Sequence, residues 1–339
     1  MLKSMIIEAL KKGSNDLHVK AGSVCKIRIF KELVDLNEKL VSDEEVNKML
    51  HQMLGDEKYN AYKEEMDLDF GYEIDGFRLR INAFYEREKS GFIVRIIPNE
   101  IPDMETLKLP DIVKEMALKP KGIILITGPA SCGKSTTVAS IVDFINAQVN
   151  THIITLEQPI EFKFFNRKAL LDQREVGKDT ESFLSGLRYA LRQDPDIVMV
   201  GEMRDLETIS TAITTAETGH LVLSTLHTSS AVGTINRIVN SFPTHQREEI
   251  RTQISLSIQG VVSQILVPNA EKTSLVPVFE VLYPTYGIRN LIRTNKIDQI
   301  ESIMQTDKNC TTIRNELLKM VSEGLVTKED AYKYVNLEE

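Results

Sequence analysis

The residues best suited to chemistry in this 339-residue sequence form the run GPASCGKST, Gly128 to Thr136. The spacing G-x-x-x-x-G-K-[ST] makes a loop whose backbone N–H groups curl around phosphate oxygens, with Lys134 neutralising charge and the Ser135 hydroxyl reaching a magnesium ion. Gly128 and Gly133 let the backbone turn that tightly. Ser131 and Cys132 lie inside the loop. A thiol beside Lys134 at a helix N-terminus has two readings: a lowered pKa that makes it oxidisable, or a small residue the loop tolerates. The flanks suit an anion site, because GIILIT reads as a strand and VASIVDFI as a helix whose N-terminal dipole attracts negative charge.

Such a loop needs a sheet to present it. From residue 120 the pattern runs strand, loop, helix, strand, as in a mainly parallel sheet with crossover helices. The strand candidates are GIILIT, HIITLE, DIVMVGE and HLVLSTLH. Each ends in polar or acidic residues: Glu157, Gln158, Pro159 and Glu161 after the second, Gly201 and Glu202 after the third, His227 after the fourth. Ligands in open parallel sheets sit at the carboxyl ends of the strands, so these groups converge on the loop if the four strands are neighbours. Glu202 would then stand where a water attacking a triphosphate is polarised, as a general base or through magnesium.

Residues 1–98 read differently. A helix to Lys12, strands near Leu17 to Val19 and Cys25 to Phe30, a helix from Ser42 to Leu54, and strands in LDFGYEIDGFRLRINAFYE and GFIVRIIP describe an α+β domain, with Asp75–Gly76 as a hairpin signal. Residues 99–119 read as a linker, Pro98, Pro102 and Pro110 punctuating it. The domain that carries the phosphate loop then occupies 120–339, its last part, about 275–339, helical.

A net charge of −8 argues against a general nucleic-acid binder, which needs a basic surface. No apolar run approaches the roughly 18 to 20 residues of a membrane span. MLKSMIIEALKKG places Leu2, Met5, Ile6, Ala9 and Leu10 at helical spacing, so it reads as an amphipathic helix rather than a signal peptide, and a cytoplasmic location is expected. Cys25, Cys132 and Cys310 are scattered, which suggests neither a disulfide framework nor a zinc site.

The block DQREVGKDTESFLSGLRYALRQDPDIVMVGEMRDLETISTAITTAETGHLVLSTLHTSSA closely resembles the corresponding part of the secretion ATPase superfamily, and within it the retraction ATPases of type IV pili. The likeness continues in GSNDLHV, FRLRINAFYEREKSGFIVRIIP, ITLEQPIEF and YGIRNLIRTNKIDQIESIMQT, and so covers nearly the whole chain.

The resemblance implies a hexameric cytoplasmic motor with an N-terminal PAS-like domain and a RecA-like P-loop ATPase domain, peripheral to the inner face of the cell membrane. It implies ATP and Mg2+ as ligands, an inner-membrane platform protein (PilC-like) and other pilus ATPases as partners, and no nucleic acid. Carried over by position, Gly133, Lys134, Ser135 and Thr136 hold ATP and magnesium, and Glu202 is the catalytic acid. Glu157 to Glu161 form the acidic box, Glu157 with a part in metal binding, and His220 to His227 the histidine box. Arg80, Arg87 and Arg95 are the candidates to reach a nucleotide across a subunit interface. Arg289, Asn290, Leu291, Ile292 and Arg293 form a segment tied to retraction rather than hydrolysis.

There are departures. Gln158 stands where the family usually has aspartate, which raises the expectation of slower hydrolysis. Alanine and glutamate of the retraction segment are replaced by Gly287 and Thr294. Two competing readings follow: an extension or secretion ATPase, disfavoured by the lack of an extra N-terminal domain and a four-cysteine motif, and a weakly hydrolysing accessory subunit that scaffolds another motor.

Overall fold

The computed structural model describes residues 1–29, 32–97 and 100–335. Phe30, expected to end a strand, and Pro98, expected to open the linker, lie outside the described residues. The chain divides into two units, Met1–Glu100 and Ile101–Glu339.

In the first unit, helix α1 (Leu2–Lys11) is followed by strands β1 (Asp16–Lys20), β2 (Ser23–Ile29) and β3 (Glu32–Val41), helix α2 (Asp43–Glu65), and strands β4 (Asp67–Ile74), β5 (Phe77–Glu86) and β6 (Lys89–Ile97). The strands form one sheet in the order β3-β2-β1-β6-β5-β4, every pairing antiparallel. Alternation decides its faces. Leu17, Val19, Ile27, Leu79, Ile81, Phe92 and Val94 share a core with the apolar residues of both helices, while Arg80 and Arg95 sit on the other face. Helix α2 starts at a Ser42–Glu45 capping box and continues beyond the expected Leu54 across a kink at Gly55, φ 70°.

The second unit contains α3 (Ile112–Ala117), β7 (Gly122–Thr127), α4 (Lys134–Gln148), β8 (His152–Glu157), β9 (Leu170–Glu175), α5 (Phe183–Ala190), β10 (Ile197–Val200), α6 (Leu206–Glu217), β11 (Leu221–Leu226), α7 (Ala231–Ser241), α8 (Arg247–Ser257), β12 (Ile258–Pro268), β13 (Leu275–Leu282), α9 (Tyr286–Arg293), α10 (Ile300–Met304), α11 (Ile313–Ser322) and α12 (Lys328–Tyr332). Its sheet runs β13-β12-β7-β11-β10-β8-β9, parallel except for the β12–β13 pair. β7, β10 and β11 are buried along their whole length, as strands covered on both faces must be. Ile123, Leu125, Val198 and Val222 face one core, and Ile124, Ile126, Met199 and Leu223 the other.

Two expectations are corrected. Met104, Leu109, Val113 and Met116 lie in the second unit's core, so most of the expected linker is packed structure: its prolines punctuate a segment that apolar side chains anchor. The C-terminal region does not begin as helix, because residues 275–282 form β13, whose hairpin with β12 extends the sheet.

Candidate functional site

The four strands read from sequence are neighbours in the order β7-β11-β10-β8, and their carboxyl ends share one edge of the sheet. The loop after β7 is tight. Gly128 has φ 146°, and a Cβ there would be driven into the backbone carbonyl oxygen of Gln264 on β12 and within 2.6 Å of Cys132 Sγ. Gly133, φ 89°, caps α4 at its N-terminus. Lys134 is 8% exposed, and its Nζ donates to the carbonyls of Gly128, 2.9 Å, and Pro129, 2.7 Å. Burial pulls the ammonium below the ordinary lysine value, while the charges of Cys132, Glu202 and Glu161 act the other way. Ser131 and Ser135 are exposed and Thr136 half-buried, so the Ser135 hydroxyl is open to a ligand at the helix end.

Lys134 Nζ is 3.5 Å from Nδ1 of His227, and Nε2 of the same ring is 3.7 Å from Oε2 of Glu202. Glu202 also pairs with Arg204 at 2.6 Å. The backbone leading to Glu202 is held by its neighbour β11: Ser224 Oγ donates to Val200 O, 2.8 Å, and Thr225 Oγ1 to Gly201 O, 2.5 Å. Cation, imidazole and carboxylate from three different strand ends thus form one row.

Glu157 ends β8 as a buried carboxylate. Thr155 Oγ1 donates to its Oε1 at 2.7 Å and Gln173 Nε2 at 3.0 Å. Burial pushes its pKa above the ordinary carboxyl value despite those donors. Across the β8–β9 pair stands Glu175, also buried, its Oε2 accepting from Ile160 N at 3.3 Å. Glu175 was not singled out from sequence, although it lies in the same recognisable block. Glu161 acts on Lys134 through its charge, whereas Gln158 is exposed.

Other expected residues are placed elsewhere. Leu221 pairs with Gly122 at the start of β7, and Leu226 with Thr127 at its end. His220 therefore precedes β11, at the far edge of the sheet, about 20 Å from the loop at ~3.3 Å per strand residue. There its Nδ1 faces Thr215 O at 3.2 Å, so it is not part of this site.

Cys132 is buried, and burial raises its pKa more than Lys134 lowers it, which overturns the reactive-thiol reading.

In the first unit, Arg95 binds Asp16, Nε to Oδ1 2.8 Å, and Arg80 lies beside it on β5. Arg87 occupies the turn into β6 with φ 50°.

The C-terminal segment lies on α9 and divides by burial. Ile288 and Ile292 face the core, Leu291 and Arg289 are half-buried, and Asn290 and Arg293 are exposed. Arg289 ties α9 to the end of α8, with Nη1 donating to Ser255 O, 2.8 Å, and Leu256 O, 3.1 Å.

Among the described residues no cluster of three or more His, Cys, Asp or Glu side chains could hold a metal by itself. Magnesium is ordinarily held by one or two protein oxygens together with substrate phosphates. An open hydroxyl at Ser135 and carboxylates at neighbouring strand ends fit an ion that arrives with a nucleotide.

A parallel sheet with a glycine-bounded loop before a helix, a buried lysine in that loop, and a glutamate and a histidine at adjacent strand ends define a P-loop nucleotide-hydrolysing unit. Residues 1–333 match the family model described as Type II/IV secretion system protein, and the chain belongs to that family. It is 38% identical over 341 residues to the "Type IV pilus retractation ATPase PilT" of Pseudomonas aeruginosa, covering 100% of this chain and 99% of the relative. It is 40% identical over 308 residues to a "Twitching motility protein" of Neisseria gonorrhoeae, covering 90% and 82%. Among solved structures, that of the pilus retraction motor PilT with bound ADP matches with a TM-score of 0.88 and 42% identity, covering 98% of this chain and 96% of that one.

Proposed function

We propose that this chain is an ATP-hydrolysing motor that drives type IV pilus retraction, a reading supported by its likeness to the relative named as a retraction ATPase. The observation that carries the reading is the row from Lys134 through His227 to Glu202, with 3.5 Å and 3.7 Å steps, at the carboxyl edge of the sheet. Lys134 and the N–H groups of residues 128–136 would hold the β- and γ-phosphates. Glu202 would orient the attacking water and accept its proton. His227, between them, would contact the γ-phosphate and register its loss. Magnesium, held by Ser135 and reached by Glu157 or its neighbours, would neutralise charge on the transferred phosphoryl group.

The motor would work as a homohexamer in the cytoplasm, against a PilC-like platform protein at the inner membrane face; no helix among the described residues is long and apolar enough to cross a membrane. Arg80, Arg87 and Arg95 would reach a neighbouring subunit's nucleotide, with Arg80 favoured over Arg95, which already holds Asp16. A ligand shifts open and closed populations only by its differential affinity for them, and the γ-phosphate is the group that distinguishes them.

The test is steady-state ATP hydrolysis against protein concentration, with mass measurement on the same samples. Turnover per chain should rise as hexamers form, vanish in Glu202→Ala with nucleotide still bound, and vanish in Lys134→Ala with binding weakened. Hexamers with background turnover overturn the motor and leave an accessory scaffold.

A further inference from the structure

Beneath the phosphate loop runs a row of buried hydroxyls that the proposed chemistry does not use. Thr127, the residue before Gly128, shares a hydrogen bond with Ser263 of β12, Oγ1 to Oγ 2.6 Å. Thr234, on the first turn of α7, brings its Oγ1 within 3.4 Å of Thr127 Oγ1 and 2.6 Å of Thr228 Oγ1. Thr228 directly follows His227. Thr127, Thr234 and Ser263 are each 0% exposed. One residue further along β12, Gln264 donates Nε2 to Cys132 O at 2.6 Å, and its Oε1 is buried without a partner among the described residues. Ser263 and Gln264 therefore grip the two ends of the loop, Thr127 at its start and Cys132 near its finish.

The protons give the row a direction. A hydroxyl has one proton to donate. That of Thr234 has two acceptors, Ser230 O at 2.7 Å and Thr127 Oγ1 at 3.4 Å. The shorter bond takes it, which leaves Thr234 Oγ1 to accept from Thr228 and, across the 3.4 Å approach, from Thr127, with Ser263 donating to Thr127 in turn. The segment carrying His227 is thus tied to α7 by a donor that has no competing role, and α7 is set against the strand that ends in the loop. Buried polar groups are costly unless paired, and a fully paired row fixes relative position in a way that apolar side chains of the same shape do not.

We propose that Thr234 is a positioning residue for hydrolysis. Its hydroxyl fixes the spacing between His227 and the phosphate loop, and Ser263 and Gln264 anchor the same loop to β12. His227, Lys134 and Glu202 then keep their geometry as the phosphates change. This inference rests on the reading of the chain as an ATPase.

The experiment compares Thr234→Val, which keeps the shape and removes the hydroxyl, with Thr234→Ser, which restores it. Steady-state ATPase, affinity for a fluorescent ADP and the thermal transition are measured on the full-length oligomer. For Thr234→Val, kcat should fall between about tenfold and about a hundredfold through misplaced groups. KM for ATP and ADP affinity should stay within about twofold, the signature of an interaction realised in the transition state, and Thr234→Ser should recover most of kcat. Should Thr234→Val fold poorly, Ser263→Ala cuts the row at its other end and must give the same split. Unchanged kcat, or parallel loss of kcat and ADP affinity that serine does not rescue, overturns the inference while leaving the ATPase reading intact. A parent protein without turnover removes both, and is recognised before any variant is compared.

Discussion

Removing the Arg289 guanidinium tests whether the half-buried part of the C-terminal segment is a structural support. Arg289→Met keeps an apolar stem and deletes every donor. Three bonds of ordinary length are lost: Nε to Pro284 O at 3.1 Å, and Nη1 to Ser255 O and Leu256 O at 2.8 and 3.1 Å. A fourth, Nη2 to Gln259 Oε1, is long at 3.4 Å. Burial already lowers the guanidinium's pKa, so the group is in part desolvated. A net hydrogen bond contributes about 1 kcal/mol, and more when one partner is charged. The half-buried position argues for the lower figure, so the three bonds together are worth about 3 kcal/mol. For a unit of this size 1 kcal/mol corresponds to about 2–4 °C, so the transition of the second unit should fall by about 6–12 °C. Calorimetry reads it directly. Arg293→Met is the control: Arg293 is exposed and, among the described residues, bonds its own helix neighbour alone, Asn290 Oδ1 at 2.9 Å, so it should shift the transition by less than about 1 °C. If Arg289→Met unfolds within 1 or 2 °C of the parent, roughly the scatter of a surface substitution, the clamp between α8 and α9 is not a structural support and the reasoning fails.

Two glycines should respond to alanine in opposite directions. At Gly287 an added Cβ meets only Ile303 Cδ1 at 3.6 Å and Thr285 Oγ1 at 3.9 Å, so Gly287→Ala should stabilise by about 0.5–1 kcal/mol in a denaturant titration. At Gly128 the Cβ has no room, and Gly128→Ala should abolish binding of a fluorescent nucleotide; retained affinity would contradict the loop geometry. Glu157 has a native pKa above its unfolded value, so it binds its proton more tightly when folded. Its contribution to stability is complete below the ordinary value of 4.5 and is lost as pH rises through the raised native one. Glu157→Gln should therefore gain stability relative to the parent as pH rises through that window, and parallel stability–pH curves for the two proteins would refute the assignment. Cys132, buried with a raised pKa, should react with a thiol reagent at neutral pH more slowly than a free thiol of ordinary pKa, as mass spectrometry of the labelled sites would report.

The sheet at the site was legible because its strands are buried on both faces. Apolar runs such as GIILIT and HLVLST ending in polar residues have few other interpretations, and the ends of β8, β10 and β11 carry Glu157, Glu202 and His227 to one edge. His220 misled for a physical reason. It belongs to the same short motif as His227, but an extended strand puts the two ends of that motif at opposite edges of the sheet. β12 escaped because Ser263 and Gln264 interrupt its apolar pattern. Their partners, Thr127 and Cys132, are more than a hundred residues away in sequence, and only the folded sheet brings them together. The C-terminal hairpin was hidden in the same way: Glu280 is a charged residue in the middle of β13, buried because its carboxylate accepts from Ala231 N at 2.6 Å, at the start of α7.

The same distinction between buried and exposed polar groups bears on Gln158. The carboxylate before it is fixed within the sheet, Glu157 by Thr155 and Gln173, and Glu202 rests on backbone that Ser224 and Thr225 hold. None of these supports passes through residue 158, whose side chain is exposed. A charge at an exposed site acts through water and salt, with a screening length of about 8 Å at physiological ionic strength, whereas the buried groups interact with little screening. Replacing the family's aspartate with glutamine therefore leaves the buried arrangement of carboxylates unchanged. Any slowing of hydrolysis by Gln158 must act through groups that approach this exposed position from outside the fold, the nucleotide's ion or a neighbouring subunit, and not through the geometry of Glu157.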